Sequence, residues 1–370
     1  MDRFIPLVSV LLWVLLWSFG GFLILINTIK TQRHESTLLG LGLGLVLQVW
    51  LANLTGRFLA PVPAFWLSAG LVFALGLGLT LGLKSWKTAR EALRFPLGQW
   101  LAFIVLLYIF FMIGRGLAIF DDYQNLPVTS MLAAGDIPPH FPLNPALSFD
   151  YHYLLLLNAA QWMRTGGFPT WAALDFSRAI FFSLAILYAF FLGQRLTHGK
   201  DGGILTALFT ALAGGMRWIL LFLPGRLLSA ISERVTMIGS GLATDSSLKM
   251  ALSKPWAIEG GGPFPFPFAY GNGFHTPAVM EHDGTGLMGL AIALLIILFF
   301  ERWKSKGGMV VVAALLAAQA ITDEIWFVFF LGAFVVVYVA RLLRPGKENR
   351  REIWTALVVL ALLPGLIALI

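Results

Sequence analysis

Apolar residues along this chain gather into long runs. The stretches at about 5–29, 37–56, 64–83, 98–120, 172–194, 203–223, 285–300, 309–322, 325–341 and 353–370 are almost free of charge. About 20 apolar residues wound as a helix match the hydrocarbon thickness of a bilayer. In lipid every backbone N–H and C=O must be satisfied within the protein, and a helix does so within one segment. The pattern predicts an all-α, polytopic transmembrane helical bundle of about ten spans. The first run is long and has no A-x-A type end, so it reads as a retained span rather than a cleaved signal peptide. Gly40 and Gly44 in the second run, and Gly78 and Gly82 in the third, carry a spacing that lets helices approach closely.

The connections between runs are uneven. Most are short, but those at 121–171 and 224–284 reach roughly 50 and 60 residues, longer than a plain connector needs. Functional residues are expected there. Within the first of them Leu154 to Met163 is apolar but too short to span, which predicts an amphipathic or re-entrant helix at the membrane interface. This divides the chain into an N-terminal three-span segment, 1–97, and a region with long loops, 98–370. The last run reaches Ile370 without a soluble tail, as a fragment of a longer chain would.

Composition agrees and excludes much else. Of 370 residues 58% are hydrophobic and 12% charged, and the mean hydropathy is +0.81. Soluble domains carry about 25% charged residues, so no soluble fold could hide this surface. Thirteen Trp and 31 Phe suit headgroup belts and lipid-facing packing. There is no Cys, which removes disulfides, thiol nucleophiles and thiolate metal ligands.

Charge adds sidedness. The turns at 30–35, 84–94, 195–201, 301–306 and 341–352 hold 16 of the 26 Lys and Arg, and they alternate with the other connections. By the positive-inside rule these turns face the cytoplasm, so the N-terminus and the segments at 57–63, 121–171, 224–284 and 323–324 lie outside a plasma membrane. The net +7 then divides into +10 inside and −3 outside. The basic balance reflects topology and anionic headgroups rather than nucleic acid.

The candidate chemistry sits in the outside segments. Asp121 and Asp122 stand together at the exit of the fourth run, with Arg115 about two turns earlier. Adjacent carboxylates near hydrocarbon need compensation, by a cation or by an exit into water. The loop continues through Gly135-Asp136-Ile137-Pro138-Pro139-His140 to Tyr151-His152-Tyr153. In the second long loop a Gly- and Pro-rich stretch over 260–268 precedes His275, Glu281, His282 and Asp283. His275 with Glu281 or Asp283 is a possible divalent-metal set, against a simpler reading in which the acids favour a helix N-terminus. No cofactor is otherwise implied. Asp175 and Arg178, at i,i+3, are placed to pair, and Asp323-Glu324 reads as a tight hairpin between two runs.

The order of apolar helix, acid pair, Tyr, short helix ending in Gly-Asp, Pro-rich turn, aromatic segment and further span resembles the GT-C membrane glycosyltransferases. It is similar above all to the protein O-mannosyltransferase and aminoarabinose transferase group, over about residues 98–200. Pro138-Pro139 with Tyr151-His152-Tyr153 also resembles the highly hydrophobic membrane proteins with a Tyr-Tyr-Tyr motif. The resemblance implies an inverting enzyme that moves a sugar from a polyprenyl phosphate to an acceptor whose identity stays open. It places Asp121 at the family's essential Asp and Asp122 where Glu is usual, one methylene longer. Arg115, His140, Tyr151, His152, Tyr153, Arg226, Arg234 and His275 are then the substrate-binding candidates, with Lys249 and Lys254 as further cations for the departing phosphate. Two features depart from the family: His152 interrupts the tyrosines, and three spans precede the matching helix. The rival expectation is a transporter or flippase for a lipid-linked sugar or other amphiphile, which the acids at 323–324 would serve.

Overall fold

A computed structural model of the chain describes residues 4–116, 122–149, 152–212, 224–232, 236–237, 241–242, 286–300, 302–304, 306–343 and 350–364. Each of the ten apolar runs carries a helix over its described residues. In chain order these are α1 (Phe4–Thr28), α2 (Ser36–Gly56), α3 (Pro61–Gly82), a short α4 (Trp86–Ala92), α5 (Leu97–Gly116), α6 (Asp122–Ala134), α7 (Leu154–Gly166), α8 (Thr170–Thr197), α9 (Lys200–Leu212), α10 (Gly225–Ser232), α11 (Gly286–Phe299), α12 (Lys306–Thr322), α13 (Glu324–Leu343) and α14 (Arg350–Leu357). α14 continues into a π-helical turn at Val358–Leu362. The protein is a helical membrane protein.

The count of spans is smaller than ten among the described residues. α1, α2, α3, α8 and α13 are long and apolar enough to cross a bilayer, and α4 with α5 makes a sixth crossing if that pair, bent by 68°, is one broken span. Pro96 lies at the break, where its missing N–H cannot continue a helix. α11 and α12, with 14 and 17 residues, fall short of the roughly 20 that a perpendicular span requires.

The chain divides into two compact units, Met1–Tyr188 with Gly284–Ile370, and Ala189–Asp283. In the first, α1, α2 and α3 pack on one another. Their approach is set by glycines: a Cβ on Gly44 would lie 2.1 Å from the Trp17 carbonyl oxygen, and one on Gly21 2.3 Å from the Gly44 Cα. Gly78 and Gly82 share the sequence spacing of Gly40 and Gly44, yet a Cβ on either would meet no other element within 4 Å among the described residues. Polar stitches join the same helices in their apolar surroundings. Gln48 donates to Ser68 at 2.9 Å, Asn27 to Thr80 at 2.9 Å, and the fully buried Trp13 to the Phe65 carbonyl at 3.1 Å.

α7 is enclosed by other helices: Leu154 through Trp162 are all buried, and the helix touches α1, α2, α3, α6 and α12. Its length was a guide to crossing, not to burial. Gly167 ends it at φ 69, a left-handed cap that donates to the Met163 carbonyl.

In the second unit the end of α8 packs on α9, where Gly203 meets the Phe190 ring. α10 and a two-residue antiparallel pair, β3 (Thr236–Met237) with β4 (Gly241–Leu242), follow.

Candidate functional site

Loops of the first unit sort to opposite ends of its helices. At one end three of the basic turns meet. Ile29 pairs with Trp303, the Lys304 N–H donates to the Thr28 carbonyl at 2.7 Å, and Arg33 bridges Glu91 at 3.1 Å. Ser36 and Thr37 reach the carbonyls of Ala92 and Arg94. The shared end predicted from charge alternation is thus present for the turns at 30–35, 84–94 and 302–304.

The other end carries acids and histidines on a built platform. α6 begins at Asp122 and stops at Gly135, whose φ of +112 suits only glycine and whose N–H returns to the Met131 carbonyl. Asp136 then closes the turn, accepting the His140 backbone N–H at 2.8 Å and lying 2.6 Å from the His140 Nδ1. A hairpin follows, β1 (His140–Phe141) with β2 (Asn144–Ser148). Ile137 seats against Gly56 at the end of α2, so the turn is anchored to the helical core.

From the hairpin the chain enters α7 through His152, at φ 49, and Tyr153. The Tyr153 hydroxyl donates to the Asn53 Oδ1 at 2.8 Å, and both residues are buried. The His152 Nδ1 lies 3.3 Å from the Glu324 carboxylate at the start of α13. Beside it, Asp323 is the single residue between α12 and α13, which makes the predicted hairpin as tight as a turn can be. Its carboxylate accepts the Trp326 N–H at 3.1 Å, a capping arrangement for α13. Burial holds the Asp323 carboxyl above its ordinary range, while the Trp326 N–H and the nearby His152 pull it down. Gly289 of α11 makes room, since a Cβ there would lie 2.9 Å from Asp323.

This arrangement joins residues that the sequence had assigned to different readings. His152 and Tyr153 belong with Asp323, Glu324 and Asn53, not with Arg115, whose guanidinium stacks 3.4 Å over the Trp171 ring. His140 is held by Asp136. Asp175 and Arg178 pair as expected, 3.8 Å apart and buried. Arg226 is exposed on α10 of the second unit. Asp121, Tyr151, Arg234, Lys249, Lys254, His275, Glu281 and Asp283 lie outside the described residues, and of Asp122 only the backbone is described.

Sequence reasoning passed over Asn158 and Gln161 of α7. Both are fully buried. Asn158 accepts from the Trp162 indole at 3.1 Å, whereas neither polar atom of the Gln161 carboxamide has a hydrogen-bond partner among the described residues. Two carboxamides at i,i+3 inside an apolar helix were the available signal.

A carboxylate beside a histidine can hold or pass a proton, and carboxylates such as Asp121 and Asp122 can accept one from a hydroxyl. Among the described residues no three His, Cys, Asp or Glu gather as metal ligands, and the proposed metal set lies beyond those residues. The chain matches no protein-family model, no curated protein and no solved structure.

Proposed function

We propose that the chain is an inverting membrane glycosyltransferase that moves a sugar from a polyprenyl phosphate to an acceptor hydroxyl on the outer side of a plasma membrane. The observation that carries this reading is the platform following α5. Asp122, which follows Asp121 in the sequence, opens α6, and Gly135, Asp136 and the hairpin lock the chain that follows onto the end of α2. That end is opposite the basic turns, which the positive-inside rule assigns to the cytoplasm.

In the reaction the acceptor hydroxyl attacks the anomeric carbon as the bond from that carbon to the phosphate oxygen breaks. Asp121 takes the hydroxyl proton, and polyprenyl phosphate leaves with the electron pair. Attack from the face opposite the leaving group inverts the anomeric centre. Asp122 supports Asp121 or the sugar, and Arg226, Arg234, Lys249 and Lys254 are the cations proposed for the departing phosphate. His275, Glu281 and Asp283 remain the proposed set if a divalent metal takes part.

One observation favours a second reading. Asp323 is half-buried, holds its proton more tightly than an ordinary carboxyl, and faces His152. Such a pair suits a proton-coupled transporter or flippase for a lipid-linked sugar or other amphiphile. Membranes supplied with radiolabelled polyprenyl-phosphate sugars separate the readings. The enzyme transfers label to an acceptor and loses this with Asp121→Asn. Transfer untouched by Asp121→Asn and Asp122→Asn would sink the catalytic assignment, and label accumulating across vesicles without turnover would establish transport instead.

A further inference from the structure

At the basic end, away from the proposed catalytic face, the first unit contains a cavity of about 140 Å³ whose lining includes Arg33, Lys304, Glu91, Thr31, Ser36 and Thr88. The charges do not balance. Glu91 is committed to Arg33 at 3.1 Å, whereas the Lys304 ammonium donates to the Ile26 backbone carbonyl, a neutral acceptor. Two cations and one carboxylate thus share a small concave site, with Thr31 and Thr88 also in its lining.

Position adds to this. The cavity lies where α1 ends, α2 begins, and α4 and the turn before α12 meet, and the ends of bilayer-crossing helices are where lipid headgroups would lie. Partial burial lowers the proton affinity of Lys304, so its ammonium gains from negative charge placed beside it. A bound anion would supply it, through charge-assisted hydrogen bonds from Lys304 and Arg33 and neutral ones from the threonines. Carboxylate ligands are less suited, because Glu91 already competes for Arg33, while a phosphate offers oxygens to several donors at once.

We propose that this cavity is a phosphate site, taking the phosphate of an anionic lipid headgroup or of a soluble phosphate compound. The reading is independent of glycosyl transfer, since it concerns other residues at the other end of the bundle. It requires the Lys304 charge in place. A general attraction of basic turns to anionic membranes does not, because any exposed lysine at that end contributes to it at about the same level.

The test uses the full chain, purified and placed in nanodiscs. One arm titrates phosphatidylglycerol into phosphatidylcholine discs and counts the lipid retained by native mass spectrometry. The other adds inorganic phosphate to discs of phosphatidylcholine alone and follows thermal stability. Lys304→Met should lower binding about ten-fold in whichever arm responds, Lys304→Arg should restore most of it, and Thr88→Val should weaken it with both charges intact. Lys87→Met, an exposed lysine on α4, should change it little. A response to phosphatidylglycerol alone identifies a lipid headgroup as the source, and a response to inorganic phosphate identifies a soluble one. Either supports the site. No response in either arm, or a loss with Lys87→Met equal to that with Lys304→Met, would overturn it. Circular dichroism of each variant separates lost binding from lost folding.

Discussion

Alanine at Gly44 and alanine at Gly78 should have opposite effects, although both glycines lie in the same sequence motif. A Cβ on Gly44 would stand 2.1 Å from the Trp17 carbonyl oxygen, about 1.3 Å inside the 3.4 Å at which ordinary contact begins. The obstacle is the backbone of α1, which cannot swing aside as a side chain would. The helices must therefore separate, loosening contacts that hold Trp17, Gly21 and Phe22 against α2. Overpacking of this kind costs about 1–3 kcal/mol, against a helix-propensity gain for Gly→Ala of up to about 1 kcal/mol. A Cβ on Gly78 would meet no other element within 4 Å among the described residues, so only the gain remains. Gly44→Ala should be less stable than Gly78→Ala by about 1–3 kcal/mol. Unfolding in one detergent, followed by circular dichroism, reads the difference. Equal stability of the two variants would refute the close approach of α1 and α2.

Three further outcomes are expected. Tyr153→Phe removes the donor to Asn53 and should destabilise by about 1–3 kcal/mol, with Asn53→Leu in the same chain recovering part of the loss in a double-mutant cycle. Asp323 has its folded-state pKa raised from the ordinary 3.8, so its contribution to stability is full below that value and is lost as pH rises through the raised one. Asp323→Asn should accordingly flatten the fall of melting temperature as pH rises above the ordinary 3.8; a variant that follows the wild-type slope would dismiss the role of burial. Because the chain lacks Cys, single-cysteine variants report sidedness cleanly. Leu143→Cys in the exposed hairpin turn should react with an impermeant maleimide in intact cells and Lys87→Cys only after permeabilisation, the reverse pattern inverting the proposed orientation.

Helices were the legible part of the fold, because a bilayer-length apolar run has few other ways to satisfy its backbone. Asp175 with Arg178 was equally readable, being one helical turn apart. What escaped was relational. Gly40-x-x-x-Gly44 and Gly78-x-x-x-Gly82 have the same local chemistry, and only tertiary packing decides that the first meets α1 and the second meets no neighbour. The burial of α7 escaped for a related reason, since a length rule asks whether a segment crosses lipid and is silent on whether other helices enclose it. His152 and Glu324 are separated by nearly half the chain, so no spacing argument could join them. The candidate site was read as an acid pair and an aromatic segment. The fold adds the acids at the head of α13 and the carboxamides of α7.

The central proposal is that the Asp121-Asp122 pair performs glycosyl transfer while the Asp323 and His152 pair does not carry the chemistry. Release of polyprenyl phosphate from a radiolabelled polyprenyl-phosphate sugar, with label passing to an acceptor in membranes that supply it, tests it most directly, with wild type, Asp121→Asn and Asp323→Asn compared at equal amounts of chain. Release by wild type and Asp323→Asn but not by Asp121→Asn is the predicted result. Release that survives Asp121→Asn, or no release from any of the three, would contradict it.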